Sequence, residues 1–212
     1  MSISDFFQPG QKTTLLSAVN TMLASVGVSP VTALDPSQSD LADIALVALN
    51  EVDLMVQTAG MEANREKDWP IPLNADGEAV VPDNCLHMDA AYCSAWPNDK
   101  RRLTLRGSRL YDRVDRTYNL TGRAIKVDAT IRLDFDTELP QPARMLIAVT
   151  AAQLFQGRQQ TNTVIDRVED RQVALARTIF EQAEDDANDF NQIEANFSVR
   201  KATGAFGRVF RR

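Results

Sequence analysis

Apolar residues recur every three to four positions near the start of the chain. Leu15, Val19, Met22, Leu23 and Val26 share one face of a 3.6-residue repeat, which predicts a helix over residues 14–26 that stops at Gly27. Residues 28–38 hold Pro30 and Pro36 and read as an extended linker. A second helix is predicted after Ser39 or Asp40, either of which can cap the first amides, and ends at Gly60. Its stripe is Leu41, Ile44, Ala45, Ala48, Val52, Met55 and Ala59. Leu46, Val47, Leu49 and Val56 widen the apolar surface, so burial on more than one side is expected.

The pattern changes near Asn64. Pro70, Pro72, Asp76-Gly77, Pro82, Pro97-Asn98-Asp99, Gly107 and Gly122 punctuate short strand-like runs at 78–81, 86–92, 102–105, 110–111 and 125–135. In the last run Ile125, Val127, Ala129, Ile131, Leu133 and Phe135 alternate with polar residues, which places all six on one face of a half-buried strand. Pro140 and Pro142 break that strand and suit the first turn of a third helix over 142–156, whose near-absence of polar positions marks it as the central one. A fourth helix is predicted over 162–191, with Ile165, Val168, Leu175, Ile179, Ala183 and Phe190 on one side. Eight acids against three basic residues between Asp166 and Asp189 cover the other. At 1.5 Å per residue it would be about 45 Å long, a strut.

The expected fold class is α+β: a bundle of flanking N- and C-terminal helices, an inserted antiparallel β subdomain and a flexible C-terminal tail. The expected division is a helical domain from 13–60 and 141–192, a β subdomain over 64–139 and a docking tail over 193–212.

Composition adds little to this, since 44% hydrophobic and 25% charged residues in 212 are ordinary for a chain with a real core. Charge adds more. The net charge of −6 argues against a free nucleic-acid binder, yet residues 198–212 hold Arg200, Lys201, Arg208, Arg211 and Arg212 and no acid, leaving −11 on the rest. Interleaved with Phe206 and Phe210, these basic residues could stack on bases and contact phosphates, or could dock on a protein with the rings as anchors. An arm of this sign on an acidic protein fits docking better.

The N-terminal MSISDFFQPGQKTT has no basic start and no apolar run, so no signal peptide is expected. No stretch reaches the roughly 20 apolar residues that span a bilayer, so no membrane partner is expected.

Candidate chemistry is sparse. His87 is the only histidine, and Cys85, His87 and Cys93 lack the paired spacing of a zinc site, so buried small side chains are the simpler reading of the cysteines. No phosphate loop or dinucleotide fingerprint is present. Asp134, Asp136 and Glu138 beside a turn, or the acids of the fourth helix, could in principle serve a cell-wall glycan hydrolase, although solvated faces explain them more simply. No catalytic residue, cofactor or metal is expected.

Four segments together resemble the tail tubular protein A family of short-tailed bacteriophages. They are LLSAVNTMLASVGVSPVTAL (15–34), EAVVPDNCLHMDA (78–90), RGSRLYDRVDRTYNLTG (106–122) and LDFDTELPQPARMLIAVTAAQLFQGR (133–158), in the family's order. The resemblance implies a structural virion protein made in the host cytoplasm. It would be a head-to-tail adaptor or gatekeeper ring at the portal vertex, in twelve copies, between the portal protein and a nozzle of the tail tubular protein B type, with genome DNA passing through its lumen without sequence-specific binding. The portal or neighbour contact is then expected from Phe206, Arg208, Phe210, Arg211 and Arg212 with Arg200 and Lys201. A second set, Asn98, Lys100, Arg101, Arg106, Arg109 and Tyr111, is expected to meet the ring or the nozzle. The rival functions are a tail-associated peptidoglycan hydrolase and a DNA-binding module acting through the basic tail.

Overall fold

The computed structural model describes residues 12–35, 39–96, 98, 99, 102–159 and 170–195, with the side chains of 89, 90 and 188–195 left aside. The described residues are an α+β mix of four helices and antiparallel strands in two sheets, with the helices flanking the β region.

Helix α1, Leu15–Ser25, begins at a reciprocal cap. Ser17 N–H donates to Thr14 Oγ1 at 3.1 Å and Thr14 N–H to Ser17 Oγ at 2.8 Å. It ends where Gly27 turns to a φ of 79°, with Val28 N–H closing back on Leu23 O. Helix α2, Asp40–Ala59, is capped by Ser39, whose Oγ accepts Ala42 N–H, and stops at Gly60. Helix α3, Gln141–Gln159, packs against α1, α2 and α4, Asp170–Ala195, and so occupies the expected central position. Residues 162–169 of the expected fourth helix lie outside the described residues.

The helical core unites Val19, Met22, Leu23, Leu49, Val52, Ile147, Ala148, Ala151, Phe155 and Ala176. The α2 stripe differs from the expectation. Ala45, Ala48 and Val52 are buried, as are Ala42 and Leu49, but Ile44, Met55 and Ala59 face outward with Val47. Apolar residues occur almost all round α2, so periodicity alone could not choose the flank that meets α1 and α3.

The main sheet has the order β1-β5-β2, from Arg65–Ile71, Ile125–Ile131 and Cys85–Cys93, with every pairing antiparallel. β3, Leu103–Arg106, and β4, Arg109–Asp112, form a separate hairpin whose two-residue turn places Gly107 at a φ of 63°. A second core lies beneath these strands: Ile71, Val81, Ala91, Cys93, Leu103, Leu110, Leu120, Ile125, Val127 and Ala129. Residues 78–81 make isolated bridges to Leu73, Arg109 and Asn119 in place of a regular strand. The strip is held at Gly77, whose φ of 75° and close approach to the Thr121 hydroxyl leave no room for a side chain.

β1 was not expected. Its first four residues are exposed and charged, Pro70 lies within it, and a bulge interrupts its pairing, all tolerated because it is an edge strand. The alternating run at 125–135 also divides. The strand stops at Ile131, and Leu133 and Phe135 belong to the helical core, while Ile125, Val127 and Ala129 serve the β core.

Gln57 makes that division possible. This fully buried residue of α2 reads both backbone groups of Leu133: its Oε1 accepts Leu133 N–H at 2.7 Å and its Nε2 donates to Leu133 O at 3.0 Å. The same Nε2 donates to Asp53 Oδ1 at 2.8 Å, and the other Asp53 oxygen pairs with Arg132 at 3.0 Å. Asn64, also buried, donates to Gln57 O and accepts Met61 N–H, which fixes the turn from α2 into β1. The chain therefore leaves the sheet with its backbone groups satisfied inside protein. Replacing Gln57 with Leu keeps the volume and strands three buried partners, so the loss of stability should be about 2–4 kcal/mol, read as a lower urea midpoint with unchanged helix content.

Candidate interaction surface

The seven tail residues Arg200, Lys201, Phe206, Arg208, Phe210, Arg211 and Arg212 lie outside the described residues, as do Lys100 and Arg101. Asn98, Arg106, Arg109 and Tyr111 are described, and the last three come together on the β3–β4 hairpin.

On that hairpin Arg106 and Arg109 are directly opposite each other across the turn. The Arg106 guanidinium lies 3.7 Å from the centroid of the Tyr111 ring, and that of Arg109 lies 4.5 Å from the centroid of Tyr118. The two tyrosines meet edge to face, 4.9 Å apart. Arg109 also donates to Glu78 at 2.9 Å, which ties the hairpin to the strip at 78–81. Each cation rests on a ring face, where the quadrupole attracts it and its side chain loses freedom before any partner arrives. Asn98 is exposed and lies two residues from Trp96, outside this stack.

The base of the hairpin is an ionic knot. The Asp112 carboxylate is fully buried and takes Arg102 in a fork, Nε at 3.1 Å to both oxygens and Nη2 at 3.0 Å to one. Its Oδ1 also accepts Val114 N–H and Asp115 N–H. Arg123 approaches Asp112 at 3.5 Å and Asp115 at 3.6 Å, and Trp96 carries the guanidinium carbons of Arg102 and Arg123 at 3.4 and 4.1 Å from its ring centroid. Burial pushes the Asp112 carboxyl upward, but the Arg102 hydrogen bond and the two backbone N–H groups outweigh it and hold the pKa below 3.8. The Asp112 bond raises Arg102 against the opposing effect of desolvation.

Residues weighed for other chemistry have structural partners. Asp134 is a turn acceptor: bonds from the Thr137 hydroxyl, Thr137 N–H and Asp136 N–H hold its pKa below 3.8 against desolvation. That is the reverse of the raised carboxyl a glycosidase acid needs. Asp136 accepts Leu15 N–H at 2.7 Å and Glu138 accepts Asp134 N–H at 2.8 Å. Cys93 is buried in the β core, and Cys85 is half-buried with its thiol 3.4 Å from His87 O. Among the described residues no three His, Cys, Asp or Glu side chains are grouped to hold a metal ion. Also among them, no helix is long and apolar enough to cross a membrane.

The Arg102–Asp112–Arg123–Trp96 knot and the Gln57 link were not singled out from the sequence. Asp53 and Gln57, four apart inside an apolar stripe, were the signal for the second; for the first, only density of arginine was visible.

The described residues thus hold two cores joined by a polar link, with an arginine–tyrosine hairpin built on the β core. A model of the tail tubular proteins matches residues 16–190, through both cores, and the chain belongs to the tail tubular protein family. It is a bacteriophage tail structural protein. No curated protein matches it.

The buried ion pairs give a pH test. The Asp112 pKa is lowered on folding, so its contribution is present above about pH 3.8 and is lost as pH falls through the depressed folded value. Urea midpoints for Asp112→Asn should start lower than the wild type at neutral pH and fall less between about pH 4 and pH 2, the gap between the two chains narrowing with acidity.

Proposed function

We propose that this tail protein is a ring-forming adaptor, at the portal vertex, that joins the portal to the tail nozzle and lines the channel through which DNA leaves. An adaptor needs two unlike ends held at a fixed distance. The observation that carries the reading is the Gln57–Leu133 and Asp53–Arg132 link, which fixes a helical bundle to a β region bearing a ready-made arginine–tyrosine surface.

In this reading residues 13–60 and 141–192 are the ring scaffold, residues 64–139 carry contacts along the ring or to the nozzle, and residues 193–212 are the docking tail. Arg106, Arg109 and Tyr111 of the hairpin, together with Asn98, Lys100 and Arg101, meet a protein partner. Arg200, Lys201, Phe206, Arg208, Phe210, Arg211 and Arg212 meet the portal or a neighbouring subunit. Glu181, Asp185 and Asp186 are exposed on the C-terminal half of α4. Facing the lumen, they would repel phosphates and let DNA pass without sticking. Twelve copies would match a portal of that symmetry.

The decisive observation is by electron microscopy of filled heads with and without the protein. A ring at the portal vertex, present only with it, is the expected result; heads that stay bare would sink the adaptor role. Deleting residues 198–212 should leave a soluble, folded subunit that no longer joins heads, so a truncated chain that still assembles removes the docking role of the tail. Arg106→Glu with Tyr111→Ala should leave head attachment intact and reduce nozzle attachment at least tenfold, scored by sedimentation of completed tails; that factor corresponds to about 1.4 kcal/mol.

A further inference from the structure

A groove of about 260 Å³ lies between the start of α3 and the facing side of α4. Pro140, Pro142 and Ala143 form one wall, and Phe180, Ala183 and Ala187 form the other. Gln153 of α3 bonds Asp170 of α4, so the two helices run antiparallel and Pro142 comes level with the Phe180 turn. Prolines and alanines are too short to fill the space between two helices at that level, and the apolar walls stay half-exposed. At the edge Glu62 N–H donates to Glu184 at 2.6 Å, so that carboxylate is already engaged. The groove is smaller than the roughly 300–1,000 Å³ of small-molecule sites and suits the side chains of a peptide segment better than a free ligand.

The start of the chain is pinned beside it. Thr13 is buried; its N–H donates to Gln141 Oε1 at 3.0 Å and its carbonyl accepts from Arg144 at 3.4 Å. Gln141 sits between the two prolines of the groove wall. Residues 1–11 lie outside the described residues, and their sequence is MSISDFFQPGQ. Phe6 and Phe7 are adjacent, and Asp5 is the one charged side chain of the segment. Pro9-Gly10, between the rings and Thr13, is a turn signal that lets the chain fold back. The five residues 8–12 reach about 17 Å when extended. That exceeds the roughly 10–12 Å width of a helix with its side chains, so the rings can cross the end of α3 and enter the groove.

The C-terminal tail is the other segment with paired aromatic residues. It leaves α4 at Ala195, eight residues beyond Ala187, and ten more residues precede Phe206. That loop is longer and costs more entropy to close. Its basic residues would also have to be held against apolar walls.

We propose that the groove between α3 and α4 receives Phe6 and Phe7 of the same chain. The segment then straps α4 to the start of α1 and covers an apolar surface within one subunit. α4 gains a brace from it, since its described packing is on α3 and on the turn at 62–64. The contact does not depend on whether the subunits form a ring.

Trypsin reads the contact in the full chain, because Lys12 is the first lysine or arginine in the sequence. With the rings seated, cleavage after Lys12 should be slow. Phe6→Ala with Phe7→Ala, and separately Ala183→Arg, which fills the groove from α4, should each speed that cleavage at least tenfold with helix content unchanged. Equal rates in all three chains would overturn the proposal. Disulfide trapping in dilute protein is the second measurement. Phe7→Cys is paired with Ala183→Cys in a Cys85→Ser background, since Cys93 is buried. The expected product is a cross-linked monomer. Covalent dimers would put the segment on a neighbouring copy, and a link formed by Phe206→Cys in place of Phe7→Cys would give the groove to the tail. Either result, or no link at all, would overturn the proposal.

Discussion

Everything in this fold turns on one primary amide. Gln57 hydrogen bonds to both backbone groups of Leu133 at the point where the chain passes from the sheet to the helices. A peptide unit leaving a β ladder must find new partners, and inside protein an unpaired one costs on the order of 1–3 kcal/mol. A primary amide can accept from an N–H through its oxygen and donate to a C=O through its nitrogen at the same time. Asp53 and Asn64 position it from the helix and from the turn that follows, so the link is set before the first strand begins.

A second tight linkage ties the start of the chain to the same corner. Thr13 N–H donates to Gln141 Oε1 at 3.0 Å, Gln141 Nε2 donates to Thr13 Oγ1 at 2.8 Å, and the buried Arg144 reaches both Leu139 O and Thr13 O. Asp136 holds Leu15 N–H beside them. Carboxylates that sequence alone would admit as catalytic are thus stitches in a seam. Charge in this molecule follows a pattern: buried or half-buried ionic groups lock loops, while α4 keeps Glu181, Asp185 and Asp186 exposed to water.

The helices were legible because local signals agreed. Periodic apolar residues with Ser39, Gly27, Gly60 and Pro140 pointed to the end of α1, to both ends of α2 and to the start of α3, whereas α3 runs three residues past the expected 156 and α4 runs to Ala195, past the expected 191 and into the expected tail. The hairpin was legible as two short runs around Gly107-Ser108. What failed to show was non-local. β1 exists because β5 offers it an edge, not because REKDWPI reads as a strand. The alternation through Phe135 was real, yet it could not reveal that Leu133 and Phe135 face a different core. Within the candidate surface, arginine density around 100–116 was visible, whereas the assignment of Arg102 to Asp112, and of Arg106 and Arg109 to tyrosine faces, depends on strand pairing that brings distant positions together. The outward flank of α2 was hidden for the same reason: its sequence is apolar on nearly every side.

The two strands of the link between bundle and sheet respond differently to ions. The Asp53–Arg132 pair is ionic and its arginine side chain is 43% exposed, so dissolved counterions weaken it. The two Gln57 bonds to the Leu133 backbone are neutral and come from a buried side chain, so they do not sense ionic strength. A joint built this way has a compliant outer tether and a salt-blind inner one. Beside a polyelectrolyte that carries its own dense cloud of cations, the angle between the two halves would soften slightly while their attachment stayed unchanged.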